Sequence, residues 1–264
     1  LRAVFSWDAD KLDCKWFIDG KLNICYNCLD RHLKQREDKT ALIWQGEPED
    51  DKKTYTFKEL HQEVCKFAQV LKKKGLKKGD RVCIYLPMIP ELAISLLACA
   101  RLGIIHSVVF AGFSSDSLKH RIKDSQAKLL ITADGGYRRG KFVDLKKDAD
   151  KAVSGVDDIK EVIVVKRTGE KIEWDENNSW WHEEMDKVNG KENEDFIKPV
   201  EMDAEDVSFI LYTSGTTGKP KGVIHSTAGY LVYVHTTFKY TLKKKKDDIF
   251  WCTADIGWVT GHSY

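Results

Sequence analysis

Apolar positions first recur at a helical period from Leu60. Leu60, Val64, Phe67, Ala68 and Leu71 share one face, and the period predicts a helix that Gly75 ends. Its start is marked by Thr56-Phe57-Lys58-Glu59, a capping box in which the Thr hydroxyl and the Glu carboxylate each satisfy an orphan backbone N–H. Arg81–Leu86 (RVCIYL) reads as a short buried strand stopped by Pro87. Pro90 stands where a first helical residue would, and the following ELAISLLACARL is apolar nearly all round, so this helix is expected to be deeply buried. Ile105–Phe110, Lys128–Thr132 and Glu161–Val165 read as strands, with helices predicted over Asp116–Ser125 and Phe142–Val153. Farther on, strands are expected at Ser208–Tyr212, Gly222–His225 and Asp248–Cys252, and a helix at Thr227–Tyr240. Such alternation predicts an α/β fold of parallel-sheet layers flanked by helices. Ligands of such sheets bind beyond the carboxyl ends of the strands.

Two stretches break the pattern. Residues 1–55 show little periodicity and read as an irregular N-terminal extension with one short helix near Asn27–Lys34, before the regular part, 56–264. Residues 170–206 carry fourteen acidic side chains against four basic ones and read as a solvated connection, anchored to the body by Trp180 and Trp181. An acidic binding tail is the alternative. The Lys243–Lys246 run reads as a solvated turn, with a nuclear signal as the minor alternative.

Charge narrows the function classes. Forty-three Lys and Arg nearly balance forty-one Asp and Glu, so there is no general pull toward nucleic acid or anionic lipid. No apolar run approaches the roughly 20 residues of a membrane helix. Seven scattered Cys suit a reducing compartment better than a disulfide framework, so a cytoplasmic setting is expected, with a nuclear or mitochondrial pool left open. The chain starts at Leu1 rather than Met and stops at Tyr264 just after a dense segment, and it is therefore expected to be part of a longer protein.

The densest chemistry lies in Tyr212-Thr213-Ser214-Gly215-Thr216-Thr217-Gly218-Lys219-Pro220-Lys221-Gly222. Three glycines let the backbone turn its N–H groups toward one anion. The hydroxyls of Thr213, Ser214, Thr216 and Thr217 add donors, and Lys219 and Lys221 add charge. This set suits a polyphosphate, and an ordinary glycine turn between strands is the bland alternative. A Walker A loop is excluded, because only two residues separate Gly215 from Gly218-Lys219 and Pro220 replaces the magnesium-binding Ser or Thr. A second candidate, Tyr137-Arg138-Arg139-Gly140-Lys141, packs three cations into four residues and suits nucleotide phosphates as well as it suits a solvated basic turn.

YTSGTTGKPKG resembles the phosphate-binding signature of the AMP-forming adenylate synthetases. FWCTADIGWVTGHSY (Phe250–Tyr264), FAGFS (Phe110–Ser114), WWHEE (Trp180–Glu184), NCLDRHL (Asn27–Leu33) and WFIDGKLN (Trp16–Asn23) are similar to stretches of the acetyl-CoA synthetase branch. The resemblance runs essentially end to end. It implies the first part of the large N-terminal domain of an adenylate-forming enzyme, with the adenine and ribose contacts and the C-terminal lid lying elsewhere. It implies acetate, ATP as its Mg2+ complex and CoA as substrates, with propionate or another short acid as the runner-up. A truncated protein that binds nucleotide or CoA without turnover is the reading from another class.

By the same resemblance Thr213 and Lys221 would be catalytic, with Ser214, Gly215, Thr216, Thr217, Gly218 and Lys219 completing the grip on the outer phosphates. Arg138, Arg139, Gly140 and Lys141 would bind CoA together with Thr260. Lys141 departs from the Arg of the family and keeps the charge without the bidentate fork. Gly112 and Phe113 are expected to border the CoA site. Trp258, Val259 and Thr260 would wall the acyl pocket, although Trp258 also reads as an ordinary core aromatic. Cys25, Cys28 and His32 resemble half a zinc site, but no second ligand pair follows.

Overall fold

A computed structural model of the chain describes residues 2–188, 197–213, 218–245 and 247–264. It opens with strands β1 (Ala3–Asp8), β2 (Asp13–Ile18) and β3 (Lys21–Leu22). A π-helical turn, Tyr26–Asp30, runs directly into helix α1 (Arg31–Arg36). Next come β4 (Thr40–Gln45), β5 (Lys52–Thr56), α2 (Phe57–Lys73), β6 (Arg81–Tyr85), α3 (Pro90–Leu102), β7 (Ile105–Val108) and α4 (Ser115–Ser125). They are followed by β8 (Leu129–Ala133), β9 (Gly136–Arg138), β10 (Lys141–Val143), α5 (Leu145–Val153), β11 (Glu161–Val165), β12 (Asn178–Trp180) and α6 (Trp181–Asp186). The last are β13 (Met202–Asp203), β14 (Val207–Thr213), β15 (Lys221–Ser226), α7 (Thr227–Thr237), a second π-helical turn Phe238–Leu242, and α8 (Val259–Ser263).

Seven strands form one sheet in the order β12-β11-β8-β6-β7-β14-β15. Neighbours run parallel except for β15, which returns antiparallel to β14. The inner strands are apolar on both faces, as a sheet covered on both sides requires: all five residues of β8, and four of five in β6 and in β11, are buried. Helices α2, α3 and α6 pack together in one layer and α4 packs on α5 in the other.

Local signals explain where the helices begin. Thr56 and Glu59 make both bonds of the capping box, at 3.1 and 2.8 Å. Pro90 occupies the start of α3, and Gly103 ends it in the left-handed region at φ 68°. Trp181 is buried and stacks on Phe67 at 3.8 Å between ring centroids, so the acidic stretch is anchored as expected.

Three expectations are corrected. Residues 1–55 are not irregular: β1 pairs with β2, β4 with β5, and β3 with the distant β13. Their exposed faces weaken the alternation that would have revealed them. Phe142 and Val143 belong to β10, paired with Tyr137 and Gly136, and the helix starts only after its cap Asp144. Asp248–Cys252 pairs with no described strand and so forms none, and Ile249 and Trp251 are left more than 80% exposed.

Candidate functional site

The expected site residues gather where the carboxyl ends of β6, β7, β8 and β14 open. Strands β14 and β15 pair out to Thr213 opposite Lys221, so the two ends of the glycine-rich turn stand side by side. Thr213, Gly218, Lys219 and Lys221 are exposed, and Gly218 takes a left-handed φ of 83° that a side chain would resist. Ser214, Gly215, Thr216 and Thr217 lie outside the described residues. Before the turn, the Tyr212 hydroxyl donates to Asp124 Oδ2 at 2.7 Å, and the Arg121 guanidinium covers both the Tyr212 and Phe113 rings. This fastens β14 to α4 just before the cationic turn begins.

Parallel pairing puts the aromatic cluster and that turn at the same end of the sheet. Ile210 of β14 lies beside Ser107 of β7; three residues further along each chain come Thr213 and Phe110. Phe110 meets Trp258 in a T-shaped contact at 5.1 Å, and Phe113 closes the cluster against both rings. The Arg138 guanidinium lies 5.1 Å from the centroid of the same Phe110 ring. One phenyl group therefore joins the expected acyl wall to the expected CoA segment. Nearby, burial raises the Asp255 carboxyl above its ordinary value, opposed by the Gly257 N–H at 2.7 Å and the charge of Arg138.

Trp258 caps α8, which Val259 and Thr260 open; all three are exposed, and Trp258 packs on Phe110 and Phe113. Behind it, His262 stacks on Phe209 at 3.9 Å and reaches His106 and Tyr230. Arg138, Arg139, Gly140 and Lys141 form the exposed β9–β10 hairpin turn. Among the described residues no hydrogen bond or ion pair joins this turn to Lys219 or Lys221. The two cationic turns are separate groups around the aromatic cluster.

Some contributors carried no sequence signal as site residues. Asp134, fully buried at the end of β8, accepts from the backbone N–H groups of Gly135, Arg167, Thr168 and Gly169 at 2.7–3.1 Å. It thereby holds the loop after β11. That loop delivers Arg167, which pairs with Asp51 and covers the rings of Trp44 and Tyr137. An Asp before two glycines was the available hint; apart from Gly135, its partners lie more than thirty residues on. A roomy groove of about 730 Å³, lined by Lys72, Lys77, Lys78 and Lys198, lies at the opposite ends of the strands and includes no residue of either cationic turn.

Comparison with known proteins identifies the family. The sequence model of the AMP-binding enzyme family matches residues 29–264, and that of the acetyl-coenzyme A synthetase N-terminus matches residues 1–28. The chain is 53% identical over 262 residues to the acetyl-coenzyme A synthetase of Vibrio cholerae, covering 98% of this chain and 40% of that protein. It is 52% identical to that of Photobacterium profundum and 53% to that of Yersinia pestis, again over 98% of its own length. The chain thus spans about 40% of the length of the curated relatives it matches. A family match across 29–264 means that the chain belongs to the family of AMP-binding enzymes.

Proposed function

We propose that the protein containing this chain is an AMP-forming acetate–CoA ligase. In the first step an acetate oxygen attacks the α-phosphorus of MgATP. The bond from that phosphorus to the β-phosphate oxygen breaks, and acetyl-adenylate and diphosphate result. In the second step the CoA sulfur attacks the acetyl carbon, the carbon–oxygen bond to AMP breaks, and the thiol proton passes to water. The observation that carries this reading is the Thr213–Lys221 turn, whose ends are paired at the ligand-binding edge of the sheet.

Preorganised donors aimed at phosphate oxygens stabilise the charge that builds on the leaving diphosphate. Thr213, Ser214, Thr216 and Thr217 supply hydroxyls, and Lys219 and Lys221 supply charge. The turn contains no carboxylate, so the magnesium enters bound to the nucleotide as part of the substrate. Trp258, with Phe110 behind it, limits the acid to a short chain. One methylene is worth about 1–3 kcal/mol in such a pocket, which makes propionate a slower substrate rather than an excluded one. Arg138, Arg139 and Lys141 would take the CoA phosphates. All seven cysteines are free, which supports a reducing compartment such as the cytoplasm.

The test is acetate-dependent exchange of pyrophosphate into ATP by the full-length protein, which needs no CoA. Replacing Thr213 or Lys221 by Ala should lower exchange by about 10²–10³-fold, the usual cost of one transition-state donor. Amino-acid-dependent exchange in place of acetate-dependent exchange would overturn the reading, and so would unchanged rates in the variants. Residues 1–264 alone are expected to give no exchange.

A further inference from the structure

The β9–β10 turn is a tight two-residue hairpin loop, Arg139-Gly140, closed by the Arg138–Lys141 pair. Arg139 and Gly140 are both left-handed, at φ 54° and 70°. Such local conformations aim successive N–H groups at one point and form a seat for an anion. That seat is filled by the carboxylate of Glu47: Oε1 accepts from Arg139 N at 2.6 Å, and Oε2 accepts from Gly140 N at 2.7 Å.

Glu47 lies 92 residues earlier, in the loop between β4 and β5. That loop is itself braced. Gly46 N donates to Asp51 O at 2.7 Å, and Gln45 Nε2 donates to Pro48 O at 2.8 Å. Asp51 pairs with Arg167, which also covers the Tyr137 ring of β9. The hairpin is thus held at its tip by Glu47 and along its strand by Arg167.

Because Glu47 bonds to backbone, the cationic heads stay available. Among the described residues none of Arg138, Arg139 and Lys141 forms an ion pair. Three like charges within four residues repel one another, and a carboxylate seated between them offsets that repulsion. The tight hairpin loop requires positive φ at Arg139, which is unfavourable for a residue that bears a side chain, and the two bonds from Glu47 offset that cost.

We propose that Glu47 is a positioning residue for coenzyme A: its carboxylate holds the β9–β10 turn in the one conformation that presents Arg138, Arg139 and Lys141 to the phosphates of the CoA nucleotide. The proposal rests on the ligase reading given above. Glu47 touches no substrate; it raises the fraction of molecules whose turn is ready to bind, and apparent affinity scales with that fraction.

The experiment uses the full-length protein with E47A, E47Q and E47D. Three quantities are compared with the unmodified enzyme: acetate-dependent pyrophosphate exchange, the KM for CoA in the overall reaction, and the calorimetric Kd for CoA. In E47A the KM and Kd should rise about tenfold, because water replaces much of the two exposed bonds and only the lost fraction of ready turns reaches the affinity, while exchange stays within about twofold. E47Q, which keeps one acceptor, should fall between, and E47D should recover part of the affinity. Unchanged CoA affinity in E47A would overturn the proposal. So would tighter binding, which would mean that the carboxylate blocks the phosphate seat. A parallel fall in exchange would also overturn it, as the mark of a general structural role. If the unmodified protein showed no acetate-dependent exchange, the ligase reading would fail, yet the Kd comparison would still decide the role of Glu47. An unmodified protein that bound no CoA would overturn both.

Discussion

His106 Nε2 and His262 Nε2 lie 2.8 Å apart in a hydrogen bond between a buried and a partly buried imidazole. The Tyr230 hydroxyl donates to the His262 carbonyl at 2.9 Å, so His262 Nδ1–H donates to the Tyr230 oxygen and His262 Nε2 accepts from His106. This assignment leaves a lone pair on His106 Nδ1, which has no partner. Both rings must then be neutral. Burial pushes His106 down to about 3 and holds His262 well below its ordinary value.

Acid should therefore weaken the fold at this pair. The unfolded rings take up protons near pH 6.5, whereas the folded rings resist protonation, so the stabilisation is complete above about 6.5 and is lost as pH falls toward 3. At pH 5 the His106 share of that loss is about 2 kcal/mol. Urea unfolding at pH 7.5 and pH 5 measures it, with His106→Phe flattening the difference; equal pH sensitivity in that variant would sink the assignment.

Asp134 offers a test of how the loop beside the aromatic cluster is held. Removing its carboxylate with Asp134→Ala strands four backbone N–H groups at once, and each unsatisfied buried donor costs about 1–3 kcal/mol. With partial rescue by water, a loss of about 3 kcal/mol is expected. Asp134→Asn should cost roughly half as much, since one oxygen still accepts. Denaturant midpoints decide, and a change of under about 0.5 kcal/mol in the Ala variant would remove the carboxylate from the list of supports.

The edge formed by β15, α7 and the segment after it leaves apolar groups in water. Ile224 is 64% exposed, Tyr233 61% and Trp251 83%. A soluble monomer rarely leaves several such large apolar side chains in water along one part of the chain, and among the described strands β15 has no neighbour on its outer side. Residues 1–264 expressed alone should self-associate and bind a hydrophobic dye. Light scattering showing a monodisperse monomer up to millimolar concentration, without dye binding, would contradict this.

Short-range chemistry was readable from the chain. The capping box at Thr56, Pro90 at the head of α3, and the apolar runs of β6, β8 and β11 act within a few residues of themselves. A helix closes its own hydrogen bonds, so its limits are written locally. The glycine-rich turn was equally plain, because its donors are consecutive.

What required the folded chain was every feature in which one segment completes another. The order of strands in the sheet, and the hairpins of the first 55 residues, depend on partners whose choice no local pattern encodes. Asp248–Cys252 had the composition of a strand and lacked a ladder. Phe110 between Arg138 and Trp258, and Glu47 beneath the Arg139–Gly140 turn, join residues far apart in the sequence. A strand or an anion seat satisfies its polar groups only across such distances, and only the tertiary structure says which partner arrives.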